Sequence, residues 1–161
     1  MINIEKQFIE RRGKCMKYLI GIDVGTSATK TVLFDELGTV IASASREYPL
    51  YQPQNGWAEQ NPEDWRNAVL ATVSEVVEKS AAEKEDILGI GISGQMHGLV
   101  MLDEKGEVIR PSIIWCDQRA GAEVEEMLNL MPRERWIAIT ANPPLTGWTA
   151  AKILWVRRHE P

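Results

Sequence analysis

Three short stretches gather side chains that can do chemistry. In GIDVGTSATK, Gly21 to Lys30, an apolar run ends on the carboxylate of Asp23 and is followed at once by Gly25, Thr26 and Ser27. A carboxylate at a strand end, beside a glycine turn that offers backbone N–H groups and two hydroxyls, can hold a hydrated Mg²⁺ while the turn binds phosphate oxygens. The same residues also make a good hairpin turn, and a lone Lys30 beside polar neighbours reads as solvated. In GISGQMHGLVML, the polar, glycine-flanked Ser93 to Gly98 interrupts two apolar runs, where a ligand-facing loop would sit. A hydrolase nucleophile elbow would need glycine at Gln95, and Ser93 has no evident partner set. His97 reads either as a structural histidine or as a ligand contact, and Met96 as packing or contact. In IIWCDQRAGAE, an indole, a carboxylate and a guanidinium lie within five residues of one another, just before a helix. There Asp117 either caps the helix and pairs with Arg119 while Trp115 fills core, or Asp117 and Arg119 hold Trp115 as the flat wall of a polyol pocket.

These stretches need elements to position them. KYLIGIDV is apolar on both faces, as in a central strand, and TKTVLFD and TVIASASREY are rich in β-branched residues. Asp35 to Gly38 supplies a hairpin turn between the latter two, so three antiparallel strands are expected. Asn61 can cap a helix that opens on Pro62, Glu63 and Asp64, and Trp65, Ala68, Val69, Thr72, Val73, Val76 and Val77 repeat every 3.6 residues to cover a sheet. ILGIGIS reads as a buried strand and GLVMLD as another. VMLDEKGEVI echoes VLFDELGTVI, the same hairpin device used twice. QRAGAEVEEMLNLM reads as helix, PRERWIAIT is ambiguous, and TGWTAAKILWVRRHE is a final helix that Thr146 can cap. The result is an α/β class with a mixed sheet and flanking helices.

Composition bounds the function. The chain has 161 residues, 44% hydrophobic and 25% charged, enough for one substantial core. Its net charge of −5 offers no basic surface for nucleic acid. No apolar run has the length of a membrane span and no signal-peptide core precedes the first strand, so a cytoplasmic location is expected. Cys15 and Cys116 form no C-x-x-C pair, and only His97 and His159 could offer imidazole, which argues against a zinc site or disulfide framework. Residues 1–15 are polar and aperiodic. They are read either as an extension that is not native, with Met16 as the true start, or as an N-terminal arm.

Taken together and in order, GIDVGTSATK, NGWAEQNPEDW, GISGQMHGLVMLDEKGEVIRPSIIWCDQR and ANPPLTGWTAAKILWVRRHEP resemble the N-terminal part of the FGGY family of carbohydrate kinases, from Met16 to Pro161. GQMHG and WCDQR are the most specific pieces, and within the family the likeness is greatest to members acting on xylulose. Two departures are Arg66, where a second tryptophan is common, and Ala141, where glycine usually precedes NPPLTG. The resemblance implies an incomplete ribonuclease-H-like fold of the actin-like ATPase superfamily, in which 16–161 form the first part of domain I. It implies phosphoryl transfer from ATP, with Mg²⁺, to a hydroxyl of a ketopentose such as D-xylulose. Asp23 would organise the metal through water, and Gly25, Thr26 and Ser27 would line the phosphate approach. Gln95, Met96, His97, Trp115 and Asp117 would form the sugar side. The family's general-base aspartate and its second, ATP-binding lobe belong to later sequence, so no catalytic base is expected here. The alternatives are a kinase for ribulose, gluconate or glycerol, or a sugar-binding fragment without catalysis. The expected partners are the sugar, ATP, and either the remaining C-terminal portion or a second copy of the chain. An uncovered sheet face or edge is also expected.

Overall fold

A computed structural model describes residues 16–161, so the expectation for residues 1–15 lies outside the described residues. The chain divides into two compact units, one built from the residues up to Glu47 with Arg66–Gly94, the other from Tyr48–Trp65 with Gln95–Pro161.

The first unit is a four-stranded sheet under a helix. β1 (Tyr18–Val24), β2 (Ala28–Asp35) and β3 (Val40–Glu47) form the expected antiparallel meander, and β5 (Ile87–Gly94) joins β1 in parallel, giving the order β3-β2-β1-β5. The register places Ile20 opposite Leu33 and Ile22 opposite Thr31, so alternate residues of each strand share one face. That face packs on α1 (Pro62–Ser80), whose Ala68, Thr72 and Val76 are buried at helical spacing. Its start is as expected: the Asn61 carboxamide oxygen accepts the Glu63 N–H at 3.1 Å. Thr72 donates to the Ala68 carbonyl at 2.8 Å, so Thr31, 2.7 Å away, donates to Thr72 and ties helix to sheet.

Two strand expectations need correction. β1 is not apolar on both faces in its packing, since Leu19 is exposed while Ile20 and Ile22 are buried. β5 is not a buried strand. Ile90 and Ile92 share the face of Ile20 and Ile22, yet they are 57% and 71% exposed, because the core under α1 reaches β5 only at Ile87. The expected uncovered face is therefore present among the described residues.

In the second unit the short strands β4 (Glu59–Gln60) and β6 (Ser112–Ile113) pair antiparallel. GLVMLD, expected as a strand, makes only the single bridges of Leu99 to Ile113 and Leu102 to Val108. The helices α2 (Gly121–Leu130), α3 (Arg133–Thr140) and α4 (Thr149–His159) follow, and Leu99, Ile113, Ala120, Met127, Ala151, Trp155 and Val156 form the core. The ambiguous PRERWIAIT is thus helical. Thr146 does not cap α4: Leu145 to Trp148 is a turn, and the Thr146 hydroxyl donates to Gln118 Oε1 at 2.8 Å instead. Among the described residues no helix is long and apolar enough to cross a membrane.

The repeated hairpin device is real. Asp35 Oδ1 accepts the N–H of Leu37 and of Thr39, and Asp103 Oδ1 accepts those of Lys105 and Glu107, all at 2.8–2.9 Å. Each turn ends on a left-handed glycine, Gly38 at φ 80° and Gly106 at φ 83°.

Candidate functional site: a carboxylate hairpin and a histidine loop

In the first unit, β1 and β2 meet at Gly25-Thr26-Ser27, closed by the Gly25 N–H donating to the Ala28 carbonyl at 3.0 Å. Space at Gly25 is tight: a Cβ there would meet the Ala28 carbonyl at 3.2 Å, with Asp23 Oδ2 at an ordinary contact distance of 3.8 Å. The Asp23 carboxylate therefore lies against the turn. It is exposed, and among the described residues no hydrogen bond or ion pair engages it. Across the ladder it is flanked on the same face by Lys30 on β2 and Ser93 on β5. Lys30, expected to be merely solvated, stands opposite Asp23, a position that the length of the hairpin turn already implies in sequence.

No group of three or more His, Cys, Asp or Glu side chains able to hold a metal exists among the described residues. A dedicated protein cage is therefore not what Asp23 offers. A single uncommitted carboxylate beside a tight turn fits Mg²⁺, which keeps most of its waters and takes one or two carboxylates together with phosphate oxygens.

In the second unit the loop Gln95-Met96-His97 is held from several sides. Gln95 Nε2 donates to Gln60 Oε1 at 2.8 Å, and Gln60, fully buried, also accepts from Trp65 Nε1 at 3.2 Å. Gln95 Oε1 is buried and makes no hydrogen bond. Met96 is exposed. His97 adopts φ 63°, a left-handed conformation uncommon for a residue with a side chain, and its ring stacks on Trp148 with centroids 4.3 Å apart. No described group hydrogen-bonds the imidazole nitrogens, so they are available to a ligand. With Met127, Trp136, Leu145 and Trp148, the His97 side chain lines a cavity of about 210 Å³.

Trp115 is 44% exposed rather than part of the core. Its carbonyl packs so closely on Gly147 that a Cβ at that position would lie 2.6 Å from the oxygen. Asp117 is different: it is buried, its Oδ2 accepts the Ala58 N–H at 2.6 Å, and both its oxygens take Arg119 Nε at 3.0 Å. Arg119 also reaches Glu59 Oε1 at 2.7 Å and lies over the Trp57 ring, 3.7 Å from its centroid. Asp117 does not cap α2, whose first residue is preceded by Ala120 with no side-chain cap. The carboxylate is committed within the protein and supports the backbone after Trp115.

Lys152 and Gly147 were missed. Lys152 is fully buried on α4, and its ammonium donates to the carbonyls of His97 and Gly147, both at 2.7 Å. Burial pushes its pKa down to about 8, against the pull of Asp117 and Cys116. In sequence it was one lysine in an amphipathic helix.

The N-terminal domain of the FGGY family of carbohydrate kinases matches residues 18–161. The chain belongs to the FGGY family. Xylulose kinase of Bacillus subtilis is 46% identical over 146 residues, covering 91% of this chain and 29% of that protein. Among solved structures, xylulose kinase from Rhodospirillum rubrum superposes with a TM-score of 0.85 at 36% identity, covering 90% of this chain and 30% of that one. Gluconate kinase from Lactobacillus acidophilus gives 0.81 at 34%, covering 90% and 29%. The expected actin-like ATPase fold is the fold of these FGGY kinases. The FGGY chain described here spans about 30% of the length of these relatives.

Proposed function

We propose that this FGGY domain is the sugar-binding part of an ATP-dependent kinase that converts D-xylulose to xylulose 5-phosphate. The observation that carries the proposal is the His97 loop: a left-handed histidine with uncommitted ring nitrogens, stacked on Trp148 where both line one cavity. Stacked aromatics with a few fixed polar groups are what a small polyol needs for orientation. The name of the Bacillus subtilis relative supports xylulose as the polyol.

In this reading the His97 imidazole and Gln95 Oε1 hydrogen-bond sugar hydroxyls, Met96 contacts the sugar and Trp115 walls the pocket. Asp117 acts at one remove, by fixing the chain that carries Trp115. The Asp23 carboxylate would hold Mg²⁺ through its water, while Gly25, Thr26 and Ser27 would border the phosphate approach. Mg²⁺, when bound, would neutralise charge on the phosphates. The attacking sugar oxygen forms the new O–P bond, the bond from the γ-phosphorus to the ADP oxygen breaks, and the hydroxyl proton passes to a carboxylate outside these residues, as the family likeness implies.

The test is a kinase in which this chain replaces the matching part of the Bacillus subtilis protein, assayed with ATP on D-xylulose, D-ribulose, D-gluconate and glycerol. The expected result is the highest kcat/KM on D-xylulose. A cooperatively folded hybrid that prefers gluconate or glycerol would contradict the substrate assignment.

A further inference from the structure

Lys152 stands where local preference opposes it. It is the fourth residue of α4, near the positive end of the helix dipole, and that first turn carries no acidic residue and no side-chain cap. Its side chain is fully buried, and its hydrogen-bond partners are two neutral carbonyls rather than a carboxylate. Lysine is almost never fully buried unless paired, and such breaks of local rule concentrate at functional sites. The titratable groups that act on it lie in the stretch 116–119: the Asp117 carboxylate favours the ammonium, Cys116 does so less, and the Arg119 guanidinium opposes it.

The two carbonyls are not arbitrary. One belongs to His97, whose backbone is left-handed and whose ring stacks on Trp148, and it takes a second, longer bond from Thr149 Oγ1 at 3.3 Å. The other belongs to Gly147, the residue pressed against the Trp115 carbonyl. One ammonium thus joins the backbone under the histidine to the backbone beside the tryptophan wall.

We propose that Lys152 is a positioning residue for the sugar site: its ammonium fixes the His97 carbonyl relative to Gly147, and so sets the imidazole against Trp148 at the height where it meets a sugar hydroxyl. The sugar contact rests on the function proposed above, whereas the control of His97 geometry does not.

The two parts are separable in the 161-residue chain by NMR. In the wild type, ring current from Trp148 should displace the His97 ring resonances. Lys152→Met should return them toward free-histidine values while the thermal melt stays cooperative, and should weaken D-xylulose binding by about tenfold or more. Val156→Ala, a buried change on the same helix, should lower stability yet leave the His97 resonances and the sugar affinity unchanged. His97 resonances unmoved by Lys152→Met would overturn the proposal. Displaced resonances with unchanged sugar affinity would overturn its sugar part. A wild type that binds no D-xylulose would instead overturn the functional reading, with the ring resonances still deciding the role of Lys152. If Lys152→Met does not fold, the wild type decides by pH titration without sugar: the His97 ring resonances should move again at the alkaline pH at which the ¹⁵N-lysine signal of the Lys152 ammonium is lost, and ring resonances that stay put through that loss would overturn the proposal.

Discussion

At the residue scale, the two carboxylates flagged in the sequence have opposite fates. Asp23 is exposed and uncommitted, so Asp23→Asn in the hybrid kinase should cut kcat by at least about tenfold, ~1.4 kcal/mol in barrier, with little change in sugar KM. Asp117 is buried with Arg119, and Asp117→Asn would leave that guanidinium with Glu59 alone, costing about 3 kcal/mol of stability in a denaturant titration. Lys152 gives a pH signature. Its folded pKa of about 8 lies below the ordinary 10.5, so between those values the unfolded chain holds a proton that the folded one has lost. Below pH 8 the burial penalty is fully present, and it is relieved as pH rises. The stability of wild type relative to Lys152→Met should therefore increase from pH 8 to 10.5, by up to about 3 kcal/mol. A difference that is flat or falls over that window would contradict the assigned shift. The glycine turn at Gly25 and the polar break at Ser93 to Gly98 were legible in sequence because each interrupts apolar strand residues, while a role for Asp23 and His97 came only from the family resemblance. The commitment of Asp117 and the role of Lys152 were not legible, because their partners at Ala58, His97 and Gly147 come together only through tertiary packing.

At the element scale, local chemistry was the most readable. The Asn61 cap, the valine-rich face of α1 and the twin turns at Asp35 and Asp103 each follow from short-range rules and each is present. Thr146 failed as a cap because a tertiary partner, Gln118, takes its hydroxyl, and GLVMLD failed as a strand because only Leu99 and Leu102 find bridging partners. Ala141, noted as a departure from the family's usual glycine, sits just past α3 at φ 61°. A left-handed position there favours glycine, so Ala141→Gly should stabilise the chain by about 1 kcal/mol, read as a raised denaturation midpoint. An unchanged or lower midpoint would show that the loop tolerates alanine without strain.

At the scale of the whole molecule, β5 is the main departure from a closed core. Its apolar composition was legible, but its exposure was not, since burial depends on what packs against a strand and not on the strand's own residues. Leu88, Ile90 and Ile92 present a contiguous apolar run on a sheet edge, which favours association. The 161-residue chain should self-associate with concentration in sedimentation experiments, and the double substitution Ile90→Lys, Ile92→Lys should reduce that. On the function proposed here, the sugar half of a kinase site lies in this chain at Gln95 to His97 and Trp115. Titrating the ¹⁵N-labelled chain with D-xylulose and following its backbone amide signals tests it most directly. Saturable shifts should concentrate at residues 95–97 and 115, exceed any caused by glycerol, and be lost in His97→Ala. Saturable shifts elsewhere with residues 95–97 and 115 unmoved, or no binding at all by the folded chain, would contradict it.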